Sequence, residues 1–368
     1  MPPILGAAAF LMAELTGIPY VVIAISSIVP ALLYFTGIFL AVHFEAKKLG
    51  LRGLPKEEMP HLGRLLIAKG YLFLPILVLI FFMGIGFTPA YAACLAIVSA
   101  FVVSLFKKET RFSPTGLVEA ITNGARNTIG VAIACAVAGT IIGIVSLTGI
   151  GQTLIGGLIT VVNNPFFVKT GISLFAALFI TMIACLILGM GVPTTANYVI
   201  MATITAPMVI RTGAELGIAV PVLAAHMFVF YFGIAADITP PVALASFAGA
   251  AIAKSNPIKT SIVATRLAIA AFIVPYVFIF NPAMLFIGAS FFKILQAVIT
   301  TSVGMFGIAV GLAGYLIRPV TTPWRVLIIA GGFGLIHPSI ITDIFGFGLV
   351  GLVTVMQIIE WKREKAVL

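Results

Sequence analysis

The chain has 368 residues, of which 61% are hydrophobic and 9% are charged, and its mean hydropathy is +1.22. A soluble domain carries about 25% charged residues, so this composition excludes a water-soluble fold and predicts an integral membrane protein. Basic loops facing anionic lipid account for the net charge of +10, and no nucleic-acid partner is predicted.

Long apolar runs predict an all-α polytopic fold, because a helix needs about 20 apolar residues to cross the hydrocarbon core. In chain order, spanning helices are predicted over residues 17–44, 70–87, 88–106, 128–148, 217–236, 261–285, 294–317 and 339–358. A shorter apolar piece lies at 326–338, and residues 113–127 predict an amphipathic segment at the membrane interface. Residues 150–210 are apolar but interrupted by glycine, proline and asparagine, which favours re-entrant hairpins.

The distribution of basic residues predicts the orientation. One basic loop runs from Lys47 to Lys69 and the next from Lys107 to Arg111, and the connection between them at 86–90 carries no charge. The positive-inside rule therefore places both basic loops in the cytoplasm. Continued alternation places the C-terminal tail in the cytoplasm as well.

A sequence echo predicts an inverted-topology repeat. Pro2-Pro3 and Pro240-Pro241 are each followed by a run of small residues and, 16 residues later, by a further proline. The charge around the two copies is opposite, as expected of equivalent motifs on opposite membrane faces. Only the second copy is preceded by an interrupted hairpin, so we expect an incomplete first repeat, in a truncated chain or in a subunit that another chain completes.

Two breaks interrupt apolar sequence in the second repeat, at 188–197 and at 236–241. Glycine and proline unwind the backbone there, and freed carbonyls at bilayer depth need a protein, water or ion partner. Side-chain oxygens at the breaks come from Thr194, Thr195, Asn197, Asp237 and Thr239. Such an all-oxygen set suits a hard cation such as Na⁺. The alternative is that both breaks are packing kinks, whose threonine and asparagine residues cap helix ends.

Two stretches carry a family resemblance. GMGVPTTANYVIMATITAPMVI (189–210) and AAHMFVFYFGIAADITPPVALASFAGAAIAKSNPIKT (224–260) resemble the large permease subunit of TRAP transporters, closest to the fused type that works with TAXI-type solute-binding proteins. PPILGAAAFLMAELTGIPY (2–20) resembles the middle of the same subunit, and 286–368 resembles the helical extension of fused permeases.

The resemblance implies a sodium-driven, elevator-type secondary transporter of the inner membrane with two inverted repeats. It implies import of small organic acids, typically carboxylates, delivered by a periplasmic solute-binding protein, with Na⁺ as coupling ion and no other cofactor. Carried over, the substrate and ion site comprises Gly189, Gly191, Pro193, Thr194, Thr195, Asn197, Asp237, Thr239 and Pro240. Na⁺ would lie at Gly191, Thr195, Asn197, Asp237 and Thr239. The sequence lacks the family's first hairpin, first broken helix and small four-helix subunit, so these are expected as separate partners.

These patterns divide the chain into three segments: 1–148, the rest of the first repeat with linking and scaffold helices; 149–285, the second repeat; and 286–368, the extension.

We predict that the two breaks face one another near mid-membrane, and that this chain alone does not transport. An alternative is a truncated or degenerate membrane subunit without independent activity. An intramembrane enzyme is disfavoured, since no paired aspartates, histidine cluster or activated serine occur at catalytic spacing.

For each of three further residues, the sequence allows two alternative roles. Asp237 is a functional candidate, or the N-terminal cap of the half-helix that follows. His226 is more typical of a helix–helix hydrogen bond than of a ligand. Arg211 could attract a carboxylate, although a snorkelling loop residue is favoured.

Overall fold

The computed structural model describes residues 6–51, 53, 55, 59, 61–107 and 110–367, which form 18 α-helices and no β-strand. The first nine are α1 (Ala7–Thr16), α2 (Tyr20–Ser26), α3 (Ile28–Lys48), α4 (Leu62–Lys69), α5 (Leu74–Gly84), α6 (Pro89–Ser104), α7 (Pro114–Thr148), α8 (Ile150–Val162) and α9 (Pro165–Thr170). The others are α10 (Ser173–Gly189), α11 (Thr194–Glu215), α12 (Val222–Ala235), α13 (Leu244–Ala253), α14 (Pro257–Leu267), α15 (Ile269–Phe280), α16 (Phe291–Ala313), α17 (Thr322–Gly334) and α18 (Ile340–Val367).

Helix length and composition confirm an all-α, multi-pass membrane protein. Five stretches of the described chain are long and apolar enough to cross a bilayer: Tyr20–Lys48, Leu62–Gly84, Pro257–Phe280, Phe291–Ala313 and Ile340–Arg363. They correspond to five of the predicted spans. The predicted spans at 88–106 and 217–236 form shorter apolar helices. Pro2-Pro3 lies outside the described residues, so the inverted repeat remains a prediction.

One prediction of separate elements is wrong. The amphipathic segment at 113–127 and the span at 128–148 form a single helix, α7, of 35 residues. The Ser113 side chain accepts a hydrogen bond from the Gly116 N–H at its start, and left-handed Gly149 ends it. Pro114 is the first residue of the helix, where proline is tolerated, and no further proline occurs before Gly149 to stop it. The change from polar to apolar residues along this segment therefore does not mark the end of a helix.

The main hydrophobic core surrounds α12, which is apolar on every side and has most of its residues buried, as expected of a core or membrane helix. Phe228 and Phe232 of α12, Tyr198 of α11 and Phe278 of α15 are completely buried in it. The same core includes residues of α1, α3 and α16, so all three predicted segments contribute to it. This packing holds α12 and the end of α10 in fixed positions around the two breaks.

The extension α16–α18 packs through glycines. A Cβ atom on Gly332 of α17 would lie 2.6 Å from the Gly304 carbonyl oxygen of α16, and one on Gly346 of α18 would lie 2.7 Å from the Gly331 carbonyl oxygen. Helices in membranes associate closely where small residues let their backbones approach. Because α16 also packs on α3, beside Gly37, the extension is joined to the rest of the protein.

Cationic side chains cap the C-terminus of α16. Arg325 donates from Nε to the Gly311 carbonyl oxygen at 2.8 Å and from Nη2 to the Leu312 oxygen at 3.3 Å. Lys48 Nζ donates to the Ala313 oxygen at 3.0 Å. The last carbonyls of a helix have no partner within the helix, and cations there also interact favourably with its dipole.

We expect Arg325→Met to destabilise the protein by about 1–3 kcal/mol, because two carbonyls lose their charged donor. Arg126→Met on α7 is the matched control, since Arg126 is exposed and forms no hydrogen bond or ion pair with any described residue. Thermal unfolding in detergent measures both variants. Equal melting temperatures for the two would contradict the capping role.

Candidate functional site

The first break is the tip of a helical hairpin. Helix α10 ends at Gly189 and α11 starts at Thr194, with a four-residue turn between them. Gly191 has φ +72°, a left-handed conformation that favours glycine. No side chain hydrogen bonds to the start of α11, where Pro193 is the N-cap residue. The tip therefore presents a helix N-terminus whose first N–H groups have no side-chain partner.

The second break ends α12. A 3₁₀ turn, Ala236–Ile238, follows the helix, and the Pro240-Pro241 pair, which has no N–H groups, precedes α13. Side-chain hydroxyl groups hydrogen bond to two carbonyls at this break. Thr239 Oγ1 donates to the Ala235 oxygen at 2.7 Å. Thr265 Oγ1 donates to the Ile238 oxygen at 3.0 Å, and Ser246 Oγ donates to the same oxygen at 3.4 Å.

The structure brings the two breaks into contact. Asn197 Nδ2 donates to the Gly233 carbonyl oxygen of α12 at 2.8 Å. A Cβ atom on Gly189 would lie 2.9 Å from both Ala236 Cβ and Asn197 Nδ2, so only glycine allows this approach. On the other side of the tip, a Cβ atom on Gly191 would lie 3.6 Å from Val242 Cγ1.

Asn197 is the residue that joins the two breaks. Its side chain is 1% exposed, and its Oδ1 is buried with no hydrogen-bond partner among the described residues. A buried amide oxygen without a partner costs about 1–3 kcal/mol. This oxygen is therefore a free acceptor at the junction of hairpin and broken helix.

The other predicted site residues lie around this junction at different depths. Thr195, Asp237, Thr239 and Pro240 are half-buried, whereas Gly191, Pro193 and Thr194 are exposed at the tip. Gly189 is buried.

The capping alternative for Asp237 is wrong. The N-cap residue of α13 is Ala243, and no side chain caps that helix. Asp237 forms no hydrogen bond or ion pair with any described residue. Its carboxylate is therefore free to take part in the site.

Histidine and arginine near the hairpin have structural partners. The Tyr198 hydroxyl and His226 Nδ1 are 2.8 Å apart and join α11 to α12, which confirms the predicted helix–helix hydrogen bond. Arg211 lies inside α11, not in a loop, and donates to the Gln152 side chain of α8.

Sequence reasoning missed Gly233, Ser246 and Thr265, which complete the second break. Ser246 and Thr265 carry hydroxyl groups on helices that follow a proline break. That pattern could have identified them from the sequence. Across the described chain, no group of three or more histidine, cysteine, aspartate or glutamate residues could hold a metal ion. The donors at the junction are carbonyl, carboxamide, hydroxyl and carboxylate oxygens, a set suited to a hard cation.

The two interrupted helices thus meet at the buried Asn197 carboxamide. Comparison with known families then identifies the family of the protein. The family model described as "Tripartite ATP-independent periplasmic transporter, DctM component" matches residues 1–293. The chain belongs to this family. It is the membrane permease component of a TRAP transporter, as the resemblance of its central motifs predicts, and the family points to a transporter and not to an enzyme.

As a DctM component, the chain carries both breaks inside the matched residues, while most of the extension, 294–368, lies outside them. The family's tripartite organisation implies a periplasmic binding protein and a small membrane subunit as its other components. No curated protein and no solved structure shows significant similarity to the chain.

We expect Gly189→Ala to destabilise the junction, because its methyl group would meet Ala236 and displace the Asn197 amide. Such overpacking costs about 1–3 kcal/mol. Gly249→Ala on α13 is the matched control, since a Cβ atom there meets nothing within 4 Å. Thermal unfolding in detergent should show a lower melting temperature for Gly189→Ala only. An unchanged melting temperature would mean that the close approach is not required.

Proposed function

We propose that this permease uses a sodium gradient to import small organic acids, principally carboxylates, which a periplasmic solute-binding protein delivers. The observation that carries the proposal is Asn197, whose buried Oδ1 has no partner where the hairpin tip meets the broken helix. A cation at this point would supply the missing partner.

The residues around Asn197 suit Na⁺ as the coupling ion. Thr195, Asp237 and Thr239 add hydroxyl and carboxylate oxygens, and the turn at Gly191 adds backbone carbonyls. Hard cations bind such oxygen sets, and discontinuous transmembrane helices supply them in secondary transporters. Binding of Na⁺ beside Asp237 would also neutralise a carboxylate that has no partner among the described residues.

The start of α11 suits an anionic substrate. Helix N-termini attract anions, and transporters aim half-helix N-termini at substrate carboxylates. Pro193 and Thr194 are exposed there, and no side chain caps the helix. Arg211, which hydrogen bonds to Gln152, is not assigned to the substrate. The substrate and ion site thus comprises the hairpin tip and the loop from Asp237 to Pro240.

The positions of basic residues support an inner-membrane location with a cytoplasmic C-terminus. Lys48 is the last residue of α3, Arg266 lies near the end of α14, three residues before α15, and Arg318 lies between α16 and α17. These helix ends lie on one membrane face if the spans alternate, and an excess of positive charge marks the cytoplasmic face. A TAXI-type binding protein and a small four-helix subunit would then be the partners of the assembled transporter.

Uptake by the assembled transporter tests the proposal. Proteoliposomes would contain this chain, the partner that supplies the first hairpin and first broken helix, and the small subunit. With the binding protein supplied, they would be given radiolabelled succinate, pyruvate and glutamate. We expect accumulation of at least one carboxylate under an inward Na⁺ gradient and none under an equal K⁺ gradient. Equal uptake under both gradients would contradict sodium coupling, and uptake of none of them would contradict carboxylate import.

A further inference from the structure

A polar cavity of about 280 Å³ lies in the extension, apart from the hairpin and the broken helix. Its polar lining comprises Asn281 after α15, Lys293, Gln296, Thr300 and Thr301 on α16, Ser339 just before α18 and Asp343 in its first turn. Most of this chain is apolar. Lys293 and Gln296 are exposed and Asn281, Ser339 and Asp343 are half-buried, so these polar groups are open to a molecule that enters from the surface. The concentration of such groups around one cavity indicates a ligand.

The two charges of the cavity do not neutralise each other. The Asp343 carboxylate accepts a hydrogen bond from Gln296 Nε2 at 3.1 Å. The Lys293 ammonium forms no hydrogen bond or ion pair with any described residue. Because α16 and α18 both begin at the cavity, their N-termini add partial positive charge near Lys293. A complementary ligand would carry an acid anion and an ammonium group on a short linker.

The cavity lies at one end of four neighbouring helices. Helices α15 and α17 end there, and α16 and α18 begin there. The opposite ends of these helices carry Arg266, Arg318 and Arg325, so the cavity lies at the other membrane face. Lipid headgroups occupy that level of a bilayer.

Large apolar side chains flank the cavity on its outer side. Phe291 and Phe292 at the start of α16 are 71% and 78% exposed, and Ile340 and Ile341 at the start of α18 are 72% and 79% exposed. Polar groups beside exposed apolar groups match a molecule with a charged head and hydrocarbon chains. Acyl chains that lie along these residues would place their headgroup in the cavity.

We propose that this cavity binds a phosphoethanolamine zwitterion, as the headgroup of a membrane lipid or as a water-soluble molecule with the same groups. Lys293 and the start of α16 hold the phosphate, and Asp343 accepts hydrogen bonds from the primary ammonium. Gln296 orients the Asp343 carboxylate through its side-chain amide. The bound ligand then links the first turns of α16 and α18. Most residues of these turns lie outside the part of the chain that matches the family model.

Lipid retention by the purified full-length chain tests this site. Delipidated protein in detergent would receive equal amounts of phosphatidylethanolamine and phosphatidylglycerol with identical acyl chains, and bound lipid would be counted by native mass spectrometry. We expect roughly tenfold preference for phosphatidylethanolamine, which is the effect of one charge-assisted hydrogen bond. Asp343→Asn should abolish the preference, and Lys293→Met should lower retention of both lipids.

Lys169→Met is the matched control, because Lys169 is exposed on α9 and lines no part of the cavity. Gln296→Leu is a second cavity variant that keeps both charges, and it should reduce the preference without removing it. Gel filtration and thermal unfolding verify that each variant is folded.

A competition arm distinguishes the two sources of the zwitterion. Displacement of the lipid by glycerophosphoethanolamine at similar concentration would assign a water-soluble ligand, and its failure to compete would assign the lipid. Equal retention of the two lipids by the unsubstituted protein, or full preference in folded Asp343→Asn, would overturn the proposal. None of these readouts depends on transport.

Discussion

Asn197→Leu should abolish the stabilisation by sodium that the proposed ion site predicts for this permease. The substitution removes the buried Oδ1 and the donor to the Gly233 oxygen, which leaves that carbonyl without its partner. We expect at least a tenfold loss of apparent Na⁺ affinity, equivalent to about 1.4 kcal/mol. The measurement is the melting temperature of the purified chain in sodium chloride and in choline chloride at equal ionic strength. A ligand that binds only the folded state stabilises it by RT ln(1 + [L]/Kd), so the melting temperature rises as the affinity increases.

Two further substitutions make the test specific. Asn197→Asp also loses the donor to the Gly233 oxygen, but it keeps an oxygen at the Oδ1 position and adds a negative charge. The sodium increment should therefore persist or grow, which would assign the effect of Asn197→Leu to the loss of Oδ1. Asn123→Leu on α7 is the matched control, because Asn123 is exposed and far along the chain from either break. A full sodium increment in Asn197→Leu would show that Oδ1 is not an ion ligand.

Gly346→Ala should detach α18 from α17 and lower the stability of the extension. A Cβ atom on Gly346 would lie 2.6 Å from Leu335 Cγ and 2.7 Å from the Gly331 carbonyl oxygen. The carbonyl is part of helix α17 and cannot move alone, so the helices must separate. We expect a loss of about 1–3 kcal/mol, measured by thermal unfolding in detergent.

Gly348→Ala provides the control within the same helix. Only two residues away, Gly348 has nothing within 4 Å of its Cβ position. Alanine there should be neutral or slightly stabilising, because glycine is a poor helix former by about 1 kcal/mol relative to alanine. Similar losses in both variants would indicate a general sensitivity of α18 and not a close contact with α17.

The breaks show how far local sequence can be interpreted. The glycines and proline at 189–193 and the proline pair at 240–241 predict where helices end, because those residues change the allowed backbone conformations by themselves. The same residues do not predict which carbonyls find partners. Thr265 satisfies the Ile238 oxygen from 27 residues further along the chain, and nothing in the local pattern around Ile238 indicates that contact.

The helix α7 shows the opposite case, in which local pattern misleads. Residues 113–127 are polar enough to predict a separate interfacial segment, and the following residues are apolar enough to predict a span. Backbone hydrogen bonding does not depend on that difference, so the helix continues through it. Polarity predicts the surroundings of a helix, and only prolines, caps and glycines mark its ends.

By itself, the sequence determined that this is an all-α, multi-pass membrane protein with two interrupted helices, and its motifs indicated the transporter family. Hydropathy and helix breaking depend on residues that are neighbours in the sequence, so both can be predicted without the tertiary structure. Tertiary structure alone decided that Asn197 meets Gly233, 36 residues away, and that its Oδ1 remains without a partner. It also decided that Lys293 and Asp343, 50 residues apart, line one cavity. Those contacts depend on how separate helices pack, because burial against a distant element removes a polar atom from water.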